Sequence, residues 1–152
     1  MAQRRADLVE RLLAGEPLDA SELGYKFEGS HLGIVLCGPR QKDSLALLAR
    51  VLEARLLTVT PEEGLTWAWL GTRSPLDSID AFEVAKSSLP ETSLAIGEPA
   101  DGSSGWRLTH RQARAALPLT QPGSTPAVRY AEVALLAAAV QDDLLTTSLQ
   151  RL

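Results

Sequence analysis

The sequence predicts one α+β domain built on a split βαβ arrangement, an antiparallel sheet with its first and third strands in the centre and helical segments at both termini. Three runs carry that prediction. His31 to Cys37 (HLGIVLC) is apolar on both faces, as a central strand is, and Gly38-Pro39 then turns the chain into a helix. Leu56 to Gly71 reads as a hairpin. Thr92 to Ala116 reads as a strand, a turn rich in Gly and Pro, and a helix with Trp106 and His110 one turn apart. The resulting order is strand, helix, strand, strand, helix, strand, helix.

The elements follow in sequence. Gln3 to Leu13 is an amphipathic helix with Leu8, Val9, Leu12 and Leu13 on one side, ended by Gly15 and Pro17. Asp19 to Leu23 predicts a single turn, with Asp19 as N-cap and Glu22 completing a capping box. Gly24, Gly29 and Ser30 lead straight into a strand, which speaks against a helix-turn-helix over Val9 to Leu23. In the helix at Gln41 to Ala54, Leu45, Leu48 and Leu52 recur at helical spacing beside Leu47 and Val51, so one broad side should pack on the sheet. Leu56–Thr60 and Leu65–Leu70 are strands joined by a four-residue loop, Pro61-Glu62-Glu63-Gly64. Pro75 opens a helix with Ile79, Phe82 and Leu89 on one face, and Pro90 stops it.

Ser93 to Ile96 is the fourth strand, and Gly102-Ser103-Ser104-Gly105 reads as a turn and N-cap. Trp106, His110, Ala113 and Leu117 share one face of the helix after it. Val128 to Tyr130 predicts a short edge strand. The tail divides into two short helices, one striped by Val133, Leu136 and Val140, the other by Leu145, Leu149 and Leu152, with Asp142-Asp143 at the break.

Composition bounds the class. At 152 residues, 45% hydrophobic and 22% charged, the chain suits one globular core. A formal net charge of −4 argues against nucleic-acid binding by this segment, which needs a clustered basic surface. The one cysteine, Cys37, is expected to be a small buried hydrophobe in its apolar strand. Met1 to Arg11 has no apolar signal-peptide region, and no run approaches the length of about 20 residues that spans a bilayer. A cytoplasmic protein without membrane contact is the expectation.

With that order in hand, the segments LVERLLAGEP, GYKFEGSHLGIVLCGP, LLTVTPEEGLTWAWLG, LAIGEPADGSSGWRLTHRQARAAL and VRYAEVALLAAAVQDD resemble the GGDEF-like regulatory domain of the PucR/CdaR class of bacterial transcriptional regulators. The resemblance implies a ferredoxin-like, nucleotidyl-cyclase-like sheet lying upstream of a C-terminal helix-turn-helix. It divides the chain into an N-terminal helical segment (1–30) packed on the core, a degenerate GGDEF-like domain (31–130) and a C-terminal helical segment (131–152) leading towards that output domain. The 152 residues hold no such output domain, so the chain is expected to be a piece of a longer regulator, reaching DNA only through that absent segment. A homodimer is expected, with a small-molecule effector as a further candidate partner.

A diguanylate cyclase of this fold needs carboxylates at the end of the first strand and in the hairpin to hold Mg²⁺ against triphosphate oxygens, and paired glycines beside the nucleotide. Here the first strand ends in Leu36-Cys37-Gly38-Pro39, and Thr60-Pro61 stands where the glycines would be. Glu62 and Glu63 read as a solvated hairpin tip. The inhibitory pattern of Arg followed three residues on by Asp is missing ahead of the hairpin, where Arg50 meets Glu53 and Arg55 meets Thr58; Arg4 and Asp7 match it on the wrong helix. His31 and His110 lack metal-ligand spacing, and no lysine follows the GSSG run as it would in a phosphate-binding loop. No catalytic residue, metal or cofactor is expected.

The leading function is a non-catalytic module for dimerisation and signal coupling; the second is an effector sensor with a pocket near the former cyclase site, and the third a degenerate nucleotide-binding enzyme. Trp67 and Trp69 alternate onto one sheet face with Leu65, either as core or with one at a self-association surface. The long helices need one face, leaving the second for terminal helices or a partner. Leu8, Leu12, Val133, Leu136 and Val140 are therefore candidates for self-association or for packing on that face. The effector candidates are Glu98, Trp106, Arg107, His110 and Arg111, grouped near the start of the helix after the GSSG run, where a helix dipole and an arginine favour an anion. The same residues also fit a packed core edge with solvated arginines.

Overall fold

The computed structural model describes residues 2–121, 123–136 and 138–139. Its strands are β1 (Ser30–Cys37), β2 (Arg55–Glu62), β3 (Leu65–Thr72), β4 (Ser93–Ile96), β5 (Ala100–Asp101) and β6 (Ala127–Arg129). The helices are α1 (Ala2–Leu13), α2 (Lys42–Val51), α3 (Ser78–Ser88), α4 (Gly102–Ala116) and α5 (130–136). The sheet order is β2-β3-β1-β4-β6, with β5 pairing β1 beyond the end of β4. Every pair is antiparallel except β4 with β6. The split βαβ arrangement is therefore present, with β1 between β3 and β4.

Strand alternation sorts the core into two layers. Ile34, Leu36, Ala68, Leu70, Leu94 and Ile96 face α2 and α3, whose Leu45, Leu48, Phe82 and Ala85 complete an aliphatic layer. Val35, Leu57, Val59, Trp67 and Trp69 face the opposite way, towards Ala6 and Val9 of α1 and Trp106 and Ala113 of α4. The long helices thus do not share one face, because α4 crosses to the second. The crossing depends on two glycines. A Cβ on Gly97 would stand 2.2 Å from the carbonyl oxygen of Thr109, and one on Gly33 2.9 Å from the amide nitrogen of His110. The Thr109 hydroxyl accepts the Gly33 N–H at 2.8 Å, which fixes α4 against the sheet.

Several element boundaries differ from expectation for local reasons. The hairpin strands are longer and its turn shorter. A bulge between Val59 and Glu62 keeps Pro61 within β2, an edge strand where the missing N–H costs no ladder bond, and Gly64 (φ +82°) makes the turn. Asp77, not Pro75, starts α3, accepting from the N–H groups of Ile79 and Asp80 at 2.9 and 3.0 Å. Ile79 is then exposed, as are Leu47 and Val51 of α2, while Phe82 and Leu89 are buried. Gly102 to Gly105 form the first turn of α4 itself, after Asp101 as N-cap. The capping box at Asp19 does not form: Asp19 accepts from the Ser21 N–H, and Glu22 instead pairs with Arg4 at 2.8 Å.

The terminal segments pack on the core as far as they are described. Leu8 and Leu12 lie against the second-face cluster, and Val133 of α5 against Ala95, Ala116 and Val128. Val140, Asp142, Asp143, Leu145, Leu149 and Leu152 lie outside the described residues. Among the described residues, no helix is long and apolar enough to cross a membrane.

Candidate functional site

The corner that would carry cyclase chemistry lies where β1 ends beside the hairpin tip. Cys37 pairs with Leu65, and the Gly38 N–H donates to the Gly64 carbonyl at 2.8 Å. No carboxylate follows Leu36 on β1 before the helix, and Glu62 and Glu63 are exposed on the tip. Cys37 corrects an expectation: as the last residue of β1 it is exposed, where burial along the strand ends. Among the described residues, no group of three or more His, Cys, Asp or Glu is placed to hold a metal ion.

Next to that corner is a cleft of about 270 Å³ between the start of α2 and β2. Arg40 and Lys42 from the β1–α2 connection line it, together with Arg5, which comes from α1 on the other face of the sheet. Thr58 and Thr60 of β2 and Thr66 of β3 supply hydroxyls. The sequence reading missed this group because its cations come from two segments that meet only once α1 has packed along β2. The one local signal was the Arg40-Gln41-Lys42 run ahead of the helix.

The effector candidates on α4 are not gathered around a shared opening. Trp106 and His110 are 1% and 2% exposed, inside the second-face layer. Trp106 stacks on Trp69 with centroids 4.6 Å apart, and the Trp69 indole N–H donates to the Trp106 carbonyl at 3.0 Å. His110 lies edge-on to Trp67, at 4.5 Å between centroids, and 5.0 Å from Trp69. Among the described residues, neither of its ring nitrogens has a hydrogen-bond partner. Burial, and secondarily the Arg114 charge, lowers its pKa to about 3, so the ring is neutral. Glu98 does not face the α4 arginines; it pairs with Arg129 of β6 at 3.1 Å, while its N–H donates to the Gln112 side chain at 2.8 Å. Arg107 is half-buried and Arg111 exposed.

Of the residues weighed for self-association, Trp67 and Trp69 are in the chain's own core, at 5% and 0% exposure. Leu8 and Leu12 are half-buried under α1, and Leu136 of α5 is exposed beside Leu135.

At the opposite end of β1, His31 is fully buried. Its Nε2 lies 2.8 Å from the Phe27 carbonyl, an acceptor only, so Nε2 carries the proton and Nδ1 accepts from the Tyr25 hydroxyl at 2.6 Å. Burial lowers the His31 pKa and raises that of Tyr25.

By structure the chain is similar to the crystal structure of a regulator of polyketide synthase expression from Bifidobacterium adolescentis, with a TM-score of 0.60 and 17% identity. The likeness covers 93% of this chain and 64% of that one, and at such identity it speaks for the fold. No curated protein matches by sequence. The model of the GGDEF-like domain matches residues 18–119, from ahead of β1 to the turn after α4. This chain belongs to the GGDEF-like domain family.

Proposed function

We propose that the domain is a non-catalytic regulatory module of a PucR-type transcriptional regulator, contributing dimerisation and coupling a signal to a helix-turn-helix elsewhere in the regulator. The observation that supports this most is the chemistry of the β1–hairpin corner. Holding Mg²⁺ against a triphosphate takes oxygen ligands, mostly carboxylate. The strand end offers Cys37, Gly38 and Pro39, and the acids of the hairpin stand exposed at its tip. Thr60 and Pro61 carry side chains where a nucleotide would need to approach bare backbone.

Leu135 and Leu136, 89% and 59% exposed on α5, leave apolar surface for a second copy to cover. A two-fold assembly suits a regulator that reads two DNA half-sites. Sedimentation velocity should give twice the chain mass of 16.3 kDa, and a Leu135→Ser/Leu136→Ser variant should run as a monomer with an unchanged melting temperature. A wild type that stays monomeric at every concentration removes dimerisation from the reading.

A second reading, effector sensing near the former cyclase site, is favoured by the cleft beside the start of α2. A metabolite that binds only the folded chain should raise its melting temperature by mass action. No response across a metabolite panel removes it.

A further inference from the structure

We propose that the cleft between α2 and β2 binds a small phosphorylated metabolite through Arg5, Arg40 and Lys42. This rests on the sensing reading and names its ligand class; the assembly reading does not depend on it.

Charge is the first argument. Three cations line the cleft and no carboxylate does, in a chain whose net charge is −4. Among the described residues the ion pairs engage Arg4, Arg11, Lys86 and Arg129, and none of the three cleft cations. Asp43, in the first turn of α2, is exposed and does not line the cleft. Arg5 is informative because its helix buries Ala6 and Val9 on the second face, yet Arg5 itself lines an opening on the first.

A hydroxyl on the cleft wall gives the second argument. Among the described residues three threonines are buried: Thr66, Thr92 and Thr109. Thr92 donates to the Leu89 carbonyl and Thr109 accepts from Gly33. Thr66, 7% exposed, has no side-chain hydrogen bond among the described residues, and it lines the cleft. Its oxygen is not sealed from solvent but opens on the cleft, where an anion would accept from the O–H. The backbone adds donors. Gln41 caps α2 with no side-chain bond to the first-turn N–H groups, because its amide reaches instead to the Pro90 carbonyl.

Size and geometry set the ligand class. A volume of about 270 Å³ over an apolar floor of Leu45 and Leu56 takes a small metabolite. Donors converge from α1, from the start of α2 and from β2 and β3. A tetrahedral phosphate can accept from several directions at once, whereas a carboxylate is matched best by one planar fork.

Pyrophosphate is the probe, titrated at low salt into the ¹⁵N-labelled full chain. Saturable shifts are expected at Arg40 to Ala46, Thr58, Thr60 and Thr66. An Arg40→Gln/Lys42→Gln variant should bind at least about tenfold more weakly, since each charge-assisted bond it removes is among the stronger kind. Thr66→Val, which keeps the shape and the fold, should also weaken binding, by about threefold or more. A Lys26→Gln/Arg73→Gln variant, equal in charge but away from the cleft, should bind within about twofold of wild type. Equal losses in both charge variants, or no saturable shift in the cleft, overturn the proposal. Citrate binding there in place of pyrophosphate overturns the phosphate class while the sensing reading stands. If neither anion binds and no metabolite raises the melting temperature, both fail.

Discussion

The two ends of β1 are built on opposite principles. At its start, Ser30 and His31 are 1% and 0% exposed, and the His31 ring is held on both nitrogens, by Tyr25 and by Phe27. Arg55 leans over the Tyr25 ring and donates to the Glu28 carbonyl, while β5 pairs with the backbone. At its finish, Cys37 is exposed, one backbone bond ties Gly38 to the hairpin turn, and the basic cleft opens nearby. One strand therefore anchors the fold at one end and presents accessible chemistry at the other. The open end can thus vary without touching the bonds that secure the closed end.

The largest expected effect is in acid, on the closed end and on the second-face layer beside it. His31 and His110 are both depressed below the ordinary value of 6.5, His110 to about 3, chiefly by burial. Their neutral forms are stabilised by folding, so the unfolded chain binds more protons below about pH 6.5, and stability falls as pH falls from there towards about 3. Urea unfolding at pH 7 and pH 4 should differ by an amount on the order of a few kcal/mol. His110→Phe, which strands no partner among the described residues, should cost little at pH 7 and lose less at pH 4. A variant profile that falls as steeply as wild type would show that His110 is not held neutral.

Tyr25→Phe comes next. It removes one hydroxyl and leaves the buried His31 Nδ1 without a donor, for an expected loss of about 1–3 kcal/mol in urea unfolding. An unchanged midpoint would break the contrast at its closed end. The smallest effect belongs to the open end. Cys37→Ser should change stability by less than about 0.5 kcal/mol, and the native thiol should react with a soluble disulfide reagent without unfolding. Labelling only in denaturant would place Cys37 in the core after all.

Much of the fold was legible because periodicity speaks directly about faces. The doubly apolar β1, the alternation of Trp67 and Trp69, and the Trp106-His110-Ala113 stripe each named the side they bury. What escaped was set by backbone approach. Nothing local announces that Gly33 and Gly97 admit α4 to the second face, or that Gly105 lies so close to Ala100 that a Cβ would stand 2.4 Å from its carbonyl carbon. The site was harder still. The helical spacing that grouped Trp106, His110 and the α4 arginines was correct as geometry, but tertiary packing turned the aromatic half inward and gave Glu98 to Arg129. The cleft joins residues 5, 40, 42 and 66, a set that no spacing within one element can reveal.

The proposed role requires that the open corner of this GGDEF-like domain does not make cyclic dinucleotide. The direct test is to incubate the pure chain with GTP and Mg²⁺ or Mn²⁺ and to assay for cyclic dinucleotide by chromatography and mass. No product above a protein-free blank is predicted; product that forms in proportion to protein and disappears in a Glu62→Ala/Glu63→Ala variant would contradict the account.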